Sequence, residues 1–158
     1  MIHTNSSNLN NSFDRKTPPT IIVIFGASGD LTARKLVPAI FNLSKDKLLP
    51  KRCFLIGYGR SEMSDGAFVD DIKNALDKYS RRKIEDSTWN SMKNNLIFHA
   101  GAYDDLNSFV ELEKKIINIE EKIECNAQCL FYISTPPGVF MPILENLGKR
   151  FLEDVANE

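Results

Sequence analysis

Four short runs of β-branched, aliphatic and aromatic residues recur along the chain, and apolar positions spaced three or four apart follow each of them. The first run, TIIVIF at 20–25, is almost unbroken, the pattern of a strand buried on both faces of a parallel sheet. CFLIGY at 53–58, the shorter LIFH at 96–99 and CLFYI at 129–133 predict three more strands. Helical spacing covers residues 30 to about 46, 64–79, 87–93 and 106 to about 121, and it resumes through Phe140, Ile143, Leu144 and Leu147. In the second of these helices Phe68, Ile72, Ala75, Leu76 and Tyr79 share one face behind Ser64, a good N-cap. In the helix from 106, capped by Asp104 or Asp105, the predicted stripe is Leu106, Phe109, Val110, Leu112 at its edge, Ile116 and Ile117. Pro38 interrupts the first helix, deletes the hydrogen bond to the Arg34 carbonyl, and predicts a kink or a restart there.

Strands alternating with helices of this length give an α/β fold: a doubly wound, mainly parallel sheet in a three-layer αβα arrangement. Such sheets bind ligands beyond the carboxyl ends of their strands. Function is therefore expected in the loops after Phe25, Tyr58, His99 and Ile133. The first 19 residues, MIHTNSSNLNNSFDRKTPP, lack periodicity and are rich in Asn and Ser. They read as a disordered leader, with one domain over residues 20–158.

Composition narrows the function classes. With 158 residues, 42% of them hydrophobic and 26% charged, the chain can bury a real core. The 20 basic and 21 acidic residues leave a net charge of −1, which argues against a nucleic-acid or membrane-surface binder. No apolar run reaches the ~18 residues of a membrane span. Cys53, Cys125 and Cys129 are too few and too irregular for a disulfide framework or a CxxC zinc site. No metal is expected, the simplest compartment is a reducing cytoplasm, and Cys129 reads as a core residue.

The chemistry concentrates in Gly26-Ala27-Ser28-Gly29-Asp30-Leu31, which joins the first strand to the first helix. Glycine permits a tight turn and a close backbone approach, and the helix N-terminus presents free N–H groups to a pyrophosphate. Ser28 stands where GxGxxG has its second glycine, and a Walker A string is absent. At the tip of the second strand an NAD-preferring domain carries a carboxylate for the ribose 2′-OH. Here Arg60 and Ser61 follow Gly59, and an arginine fork suits a phosphate dianion, so the expected cofactor is NADP. The other reading of Arg60 is a solvated surface arginine, which the nearness of Glu62 and Asp65 in sequence keeps open. His99, alone at a strand end, reads as structural rather than as a base. Tyr79 and Lys83 match a YxxxK pair at the wrong place in the fold, and Arg81-Arg82-Lys83 reads as a solvated helix end.

The strings GASGDLTARKLVPAIFNL at 26–43, LLP at 48–50, GYGRS at 57–61 and FYISTPP at 131–137 resemble the amino-terminal coenzyme domain of glucose-6-phosphate dehydrogenase. The resemblance covers about residues 21–148 and implies a Rossmann-like fold. It implies an NADP-dependent oxidoreductase of glucose metabolism and the pentose phosphate pathway, cytoplasmic and homo-oligomeric when full-length. By resemblance the NADP loop is Gly26, Ala27, Ser28, Gly29, Asp30 and Leu31. Arg60 meets the 2′-phosphate, Ser61 beside it belongs to the coenzyme site, Lys35 lies near the active site, and Thr135, Pro136 and Pro137 border the nicotinamide half. Phe140 departs from a coenzyme-contacting Tyr of some members. The family's base and sugar-phosphate groups belong to EKP and RIDHYLGKE-like strings, and neither occurs in this sequence. The resemblance therefore implies the front third of an enzyme, with no catalytic residue in this chain. Glucose 6-phosphate is then a partner only of the full-length protein, and apolar surface is expected where a second domain would pack. Two other readings are a stand-alone NADPH-binding sensor and an atypical short-chain dehydrogenase or epimerase-like NADP protein.

Overall fold

In the computed structural model, which describes residues 17–152, the expected leader lies outside the described residues except for 17–19. The carbonyl of Pro19 already accepts the Gln128 N–H at 2.8 Å, so hydrogen bonding into the sheet starts one residue ahead of the first strand.

Strands β1 (Thr20–Phe25), β2 (Cys53–Gly59), β3 (Leu96–Ala100) and β4 (Gln128–Ile133) form one parallel sheet in the order β3-β2-β1-β4. Because β1 pairs on both sides and is covered on both faces, every residue from Ile21 to Phe25 is buried. That double burial is why its sequence does not alternate. The Rossmann-like expectation is thus met in a four-stranded sheet with helices on both faces.

One face packs α1 (Val37–Lys45) and α2 (Asp65–Tyr79) on Ile22, Ile24 and Leu55, with Phe41, Phe68 and Leu76 interleaved. The other packs α4 (Leu106–Ile123) and α5 (Phe140–Leu147) on Ile21, Val23, Phe25, Ile56 and Tyr58. A short α3 (Asp86–Lys93) precedes β3, and a single 3₁₀ turn, Pro137–Val139, leads into α5. No helix among the described residues is long and apolar enough to cross a membrane.

Pro38 marks a restart of the first helix, one of the two outcomes its chemistry predicts. The turn ahead of it, Thr32–Leu36, widens to π geometry, with the Val37 N–H reaching the Thr32 carbonyl, and α1 then begins with Pro38 in its first turn. The widened turn takes up the mismatch where the proline cannot donate. Ser64 caps α2 as expected by accepting the Ala67 N–H at 3.1 Å. Asp105, not Asp104, caps α4 through the Asn107 N–H at 3.1 Å.

Two expectations are corrected. The buried stripe of α4 is Phe109, Leu112, Ile116 and Ile119, while Leu106 and Ile117 are exposed. Spacings of three, four and three keep that stripe in phase with the sheet, and Ile117 falls a step outside it. Cys129 is exposed rather than core. Its strand is the sheet edge: β4 pairs only with β1 among the described residues, and Leu130 (53%) and Tyr132 (41%) stay exposed on the α1/α2 side.

Candidate functional site

The carboxyl end of β1 turns sharply at Gly26, whose φ of +82° lies in the left-handed region. The Gly26 and Ala27 N–H groups both donate to the Tyr58 carbonyl, at 3.0 and 3.1 Å, and Gly29 N–H closes the turn on the Gly26 carbonyl at 3.0 Å. A Cβ on Gly26 would lie 2.5 Å from the Ser134 carbonyl oxygen, so the loop after β1 and the end of β4 meet backbone to backbone.

Thr32, 1% exposed, braces that contact: its hydroxyl donates to the Gly26 carbonyl at 2.9 Å and lies 3.2 Å from Ser134 Oγ. A carbonyl can only accept, so the Thr32 proton is committed to Gly26 and the Ser134 hydroxyl supplies the second hydrogen bond. Ser134 N–H in turn donates to the Phe25 carbonyl at 2.9 Å.

These turns wall a cleft of 340 Å³ at the carboxyl edge of the sheet. Ser28, Gly29, Arg60 and Ser61 line it from the loops after β1 and β2, Tyr103 from the loop after β3, and Ser134, Thr135, Pro136 and Val139 from beyond β4. The cleft spans the switch point where the chain leaves β1 for β2 on one side and β4 lies on the other, the expected place for a dinucleotide. Thr135 Oγ1 is buried with no hydrogen-bond partner among the described residues. With the glycine turn, the Ser28 hydroxyl and Arg60, it makes a donor set that fits a bound pyrophosphate and its sugars.

Arg60 keeps its charge available to the cleft. The Asp65 carboxylate accepts the Phe98 N–H at 2.7 Å, and neither Asp65 nor Glu62 forms an ion pair with Arg60 among the described residues.

Other singled-out residues sit elsewhere. Ala27 is buried against the α1/α2 face. Asp30 turns along the helix to Arg34, 3.0 Å away, and Leu31 is half exposed. Lys35 lines a separate groove with Arg34 and Arg81. Pro137 opens the 3₁₀ turn and Phe140 is half-buried behind it.

His99 is 2% exposed, with Nε2 2.8 Å from the Ser108 carbonyl and its ring edge-on to Tyr58, away from the cleft. Burial lowers its pKa below the usual histidine range. Tyr58, buried below the cleft, donates to the Ala102 carbonyl at 3.1 Å and so fixes the loop that carries Tyr103.

Tyr103 was not singled out by motif. The signal was its place four residues after His99, in one of the four loops where a ligand is expected. Its ring packs near Phe25 and Tyr58 at 6.2 and 5.6 Å, and burial raises its phenol above the usual range.

Comparison with known proteins is consistent with this geometry. The family model described as glucose-6-phosphate dehydrogenase, NAD binding domain, matches residues 23–158. A glucose-6-phosphate 1-dehydrogenase of Chlamydia pneumoniae is 36% identical over 138 residues, 87% of this chain and 27% of that protein. The Kluyveromyces lactis protein of the same name is 36% identical over 132 residues, 83% of this chain and 26% of its own length. A solved glucose-6-phosphate dehydrogenase, in complex with its substrate glucose-6-phosphate, superposes with a TM-score of 0.77 at 32% identity, covering 85% of this chain and 28% of that one. The chain thus spans about a quarter of the length of these relatives. The nicotinamide dinucleotide expected from the loop is the ligand class of the matched domain. By fold and sequence the chain belongs to the glucose-6-phosphate dehydrogenase family, as its NAD binding domain.

Proposed function

We propose that this chain is the NADP-holding portion of a glucose-6-phosphate dehydrogenase, an enzyme oxidising C1 of D-glucose 6-phosphate to 6-phosphoglucono-1,5-lactone. The observation that carries the preference for NADP over NAD is Arg60: it lines the cleft beside Ser61, and the nearby Asp65 is bound to Phe98. In this reading Gly26, Ser28 and Gly29 cradle the pyrophosphate at the helix start, and Arg60 and Ser61 hold the 2′-phosphate. Thr135 and Pro136 border the nicotinamide half, and Tyr103 supports the opposite wall. Bound NADP supplies the hydride acceptor.

The same reading leaves this chain without turnover of its own. His99 is enclosed between Ser108 and Tyr58, with no opening to the cleft lining, and so is not the base that removes the sugar hydroxyl proton. Glucose 6-phosphate, homo-oligomeric assembly and a cytoplasmic location belong to the full-length enzyme in this proposal. The exposed side chains of β4 support it, since Leu130 and Tyr132 offer a further domain an apolar surface to cover.

Calorimetry on the chain with NADP and with NAD tests the reading, together with an assay for reduced coenzyme in the presence of glucose 6-phosphate. Binding of NADP more tightly than NAD, without reduction, is the expected result. Equal affinity for both coenzymes refutes the role of Arg60, and sugar-dependent reduction by contaminant-free protein refutes the division of labour.

A further inference from the structure

On the α1/α2 face, the start of the first helix and α2 leave between them a cavity of 260 Å³ that the coenzyme reading does not use. Its walls are mainly apolar, with Ala33 and Val37 on one side and Phe68, Ile72 and Ala75 on the other, and Asn74, Asp71 and Lys78 add polar groups. Tyr79, the last residue of α2, lines this cavity and also a neighbouring open groove of 590 Å³. That groove carries Arg34, Lys35 and Arg81 and has no acidic residue in its lining.

The cationic character is strongest at the junction of the two spaces. The Arg34 guanidinium lies 5.5 Å and the Lys78 ammonium 5.2 Å from the Tyr79 ring centre. Hydrogen bonds from these two cations, Lys78 foremost, hold the Tyr79 phenol below its usual range. Arg34 shares its charge with Asp30 at 3.0 Å, an exposed pair that screening leaves weak. Arg81 forms no ion pair among the described residues. Within the cavity, Asp71 is the one acid of the lining and Lys78 the one base.

A mainly apolar chamber opening beside an acid-free cationic groove is complementary to an amphipathic anion. The geometry points to a second binding site, for an aromatic carboxylate whose ring enters the chamber between the first helix and α2 and whose carboxylate meets Lys78 and Arg81 at its mouth. The chamber is smaller than the ~300–1,000 Å³ of drug-sized sites, which limits the occupant to one or two fused rings. Ser28 lines both the chamber and the dinucleotide cleft, so the two sites adjoin at one residue.

The test is a titration of the ¹⁵N-labelled chain with 2-naphthoate, and with neutral 2-methylnaphthalene as the uncharged control. The expected amide shifts fall on Ala33, Val37, Ile72, Ala75 and Tyr79, with the carboxylate binding more tightly than the control. Arg81→Glu weakens 2-naphthoate by about fivefold, the scale of an exposed charge contact, and leaves 2-methylnaphthalene unchanged. Ala75→Phe fills the chamber and abolishes the shifts from both probes. Should that variant not fold, Arg81→Glu, at an exposed position, still decides the matter. Shifts confined to Gly26, Arg60 and Thr135, shifts scattered over the surface, no shifts, or equal 2-naphthoate affinity in Arg81→Glu would each overturn the assignment.

Discussion

The Asp65 carboxylate accepts the backbone N–H of Phe98 at 2.7 Å, joining the first turn of α2 to the free side of the edge strand β3. Phe98 is 3% exposed, so this N–H has little access to water, and a carboxylate is a strong acceptor for it. The bond does two things: it satisfies an edge that would otherwise be open to pairing, and it withdraws an acid from the neighbourhood of Arg60. Asp65→Ala should destabilise the fold by about 1–3 kcal/mol, because it leaves a buried donor unpaired. Asp65→Asn, which retains an acceptor, should cost less. Urea denaturation of the three proteins measures both. Equal midpoints would mean the Phe98 N–H finds another partner at no cost.

Arg60 decides coenzyme choice in the proposed reading. A charge-assisted contact to a 2′-phosphate contributes ~1.5–3 kcal/mol, or roughly 10- to 150-fold in affinity. Arg60→Ala should therefore lower NADP affinity on that scale and change NAD affinity little, and added salt should narrow the wild-type preference. Four dissociation constants at one ionic strength provide the check. A common loss for both coenzymes would reduce Arg60 to stacking on adenine or supporting the loop.

Much of this was readable from the residues, and what was missed has physical causes. β1 could be placed because a strand buried on both faces needs an unbroken apolar run. Ser64 could be named as a cap because its chemistry is local. CLFYI reads the same whether its outer face is covered or bare, so pattern alone made Cys129 a core residue and hid the exposure of Leu130 and Tyr132. The slip from Ile119 to Ile117 in α4 is one of phase, set by contacts with the sheet that a helical wheel does not contain. At the site, the glycine loop and Arg60 were legible because backbone freedom and charge are properties of single residues. Tyr103 and the Thr32 to Ser134 contact were not, since both depend on strands far apart in sequence coming side by side.

Of the two loop glycines, Gly26 should be the less replaceable. It combines a φ of +82° with a would-be Cβ only 2.5 Å from the Ser134 carbonyl oxygen, whereas a Cβ on Gly29 would lie 3.1 Å from the Gly26 carbonyl oxygen. Gly26→Ala should cost at least about 1–3 kcal/mol from backbone strain alone and weaken coenzyme binding by pushing the β4 loop away. Gly29→Ala needs a shift of only a few tenths of an ångström. Its effect on stability should stay within about 1 kcal/mol. Denaturation midpoints and calorimetric titration of both variants give the ranking, and a reversed order would contradict the packing described.

The outer side of β4 should make the isolated chain self-associate. Leu130 and Tyr132 are 53% and 41% exposed on a strand with no partner on its second edge among the described residues. Open, apolar edges of this kind promote pairing between chains. Sedimentation velocity should show concentration-dependent association that Leu130→Lys with Tyr132→Lys suppresses. A wild-type chain that stays monomeric throughout would exclude this edge as an association surface.

His99 should make stability fall on mild acidification. Its Nε2 lies 2.8 Å from the Ser108 carbonyl, which can only accept, so the neutral ring carries its proton there and Nδ1 is left as a bare acceptor. Nδ1 is buried with no partner among the described residues, and a second proton on it would have nothing to donate to. Burial is the main cause holding the pKa below the usual value of 6.5, with Lys115 lowering it further and the Ser108 carbonyl, Glu111 and Glu62 opposing. The unfolded chain, with an ordinary histidine, therefore binds the proton first as pH drops. Stability from this group is complete above about pH 7, declines as pH falls through 6.5, and stops declining once the folded-state pKa is passed. The slope from one proton cannot exceed about 1.4 kcal/mol per pH unit. Urea denaturation of the wild type and His99→Gln between pH 7.5 and 5 isolates the contribution. Glutamine can still donate to the Ser108 carbonyl but does not titrate, so the difference between the two curves should be flat above pH 7 and slope below it. Parallel curves over the whole range would show that His99 is protonated in the fold as readily as in the unfolded chain.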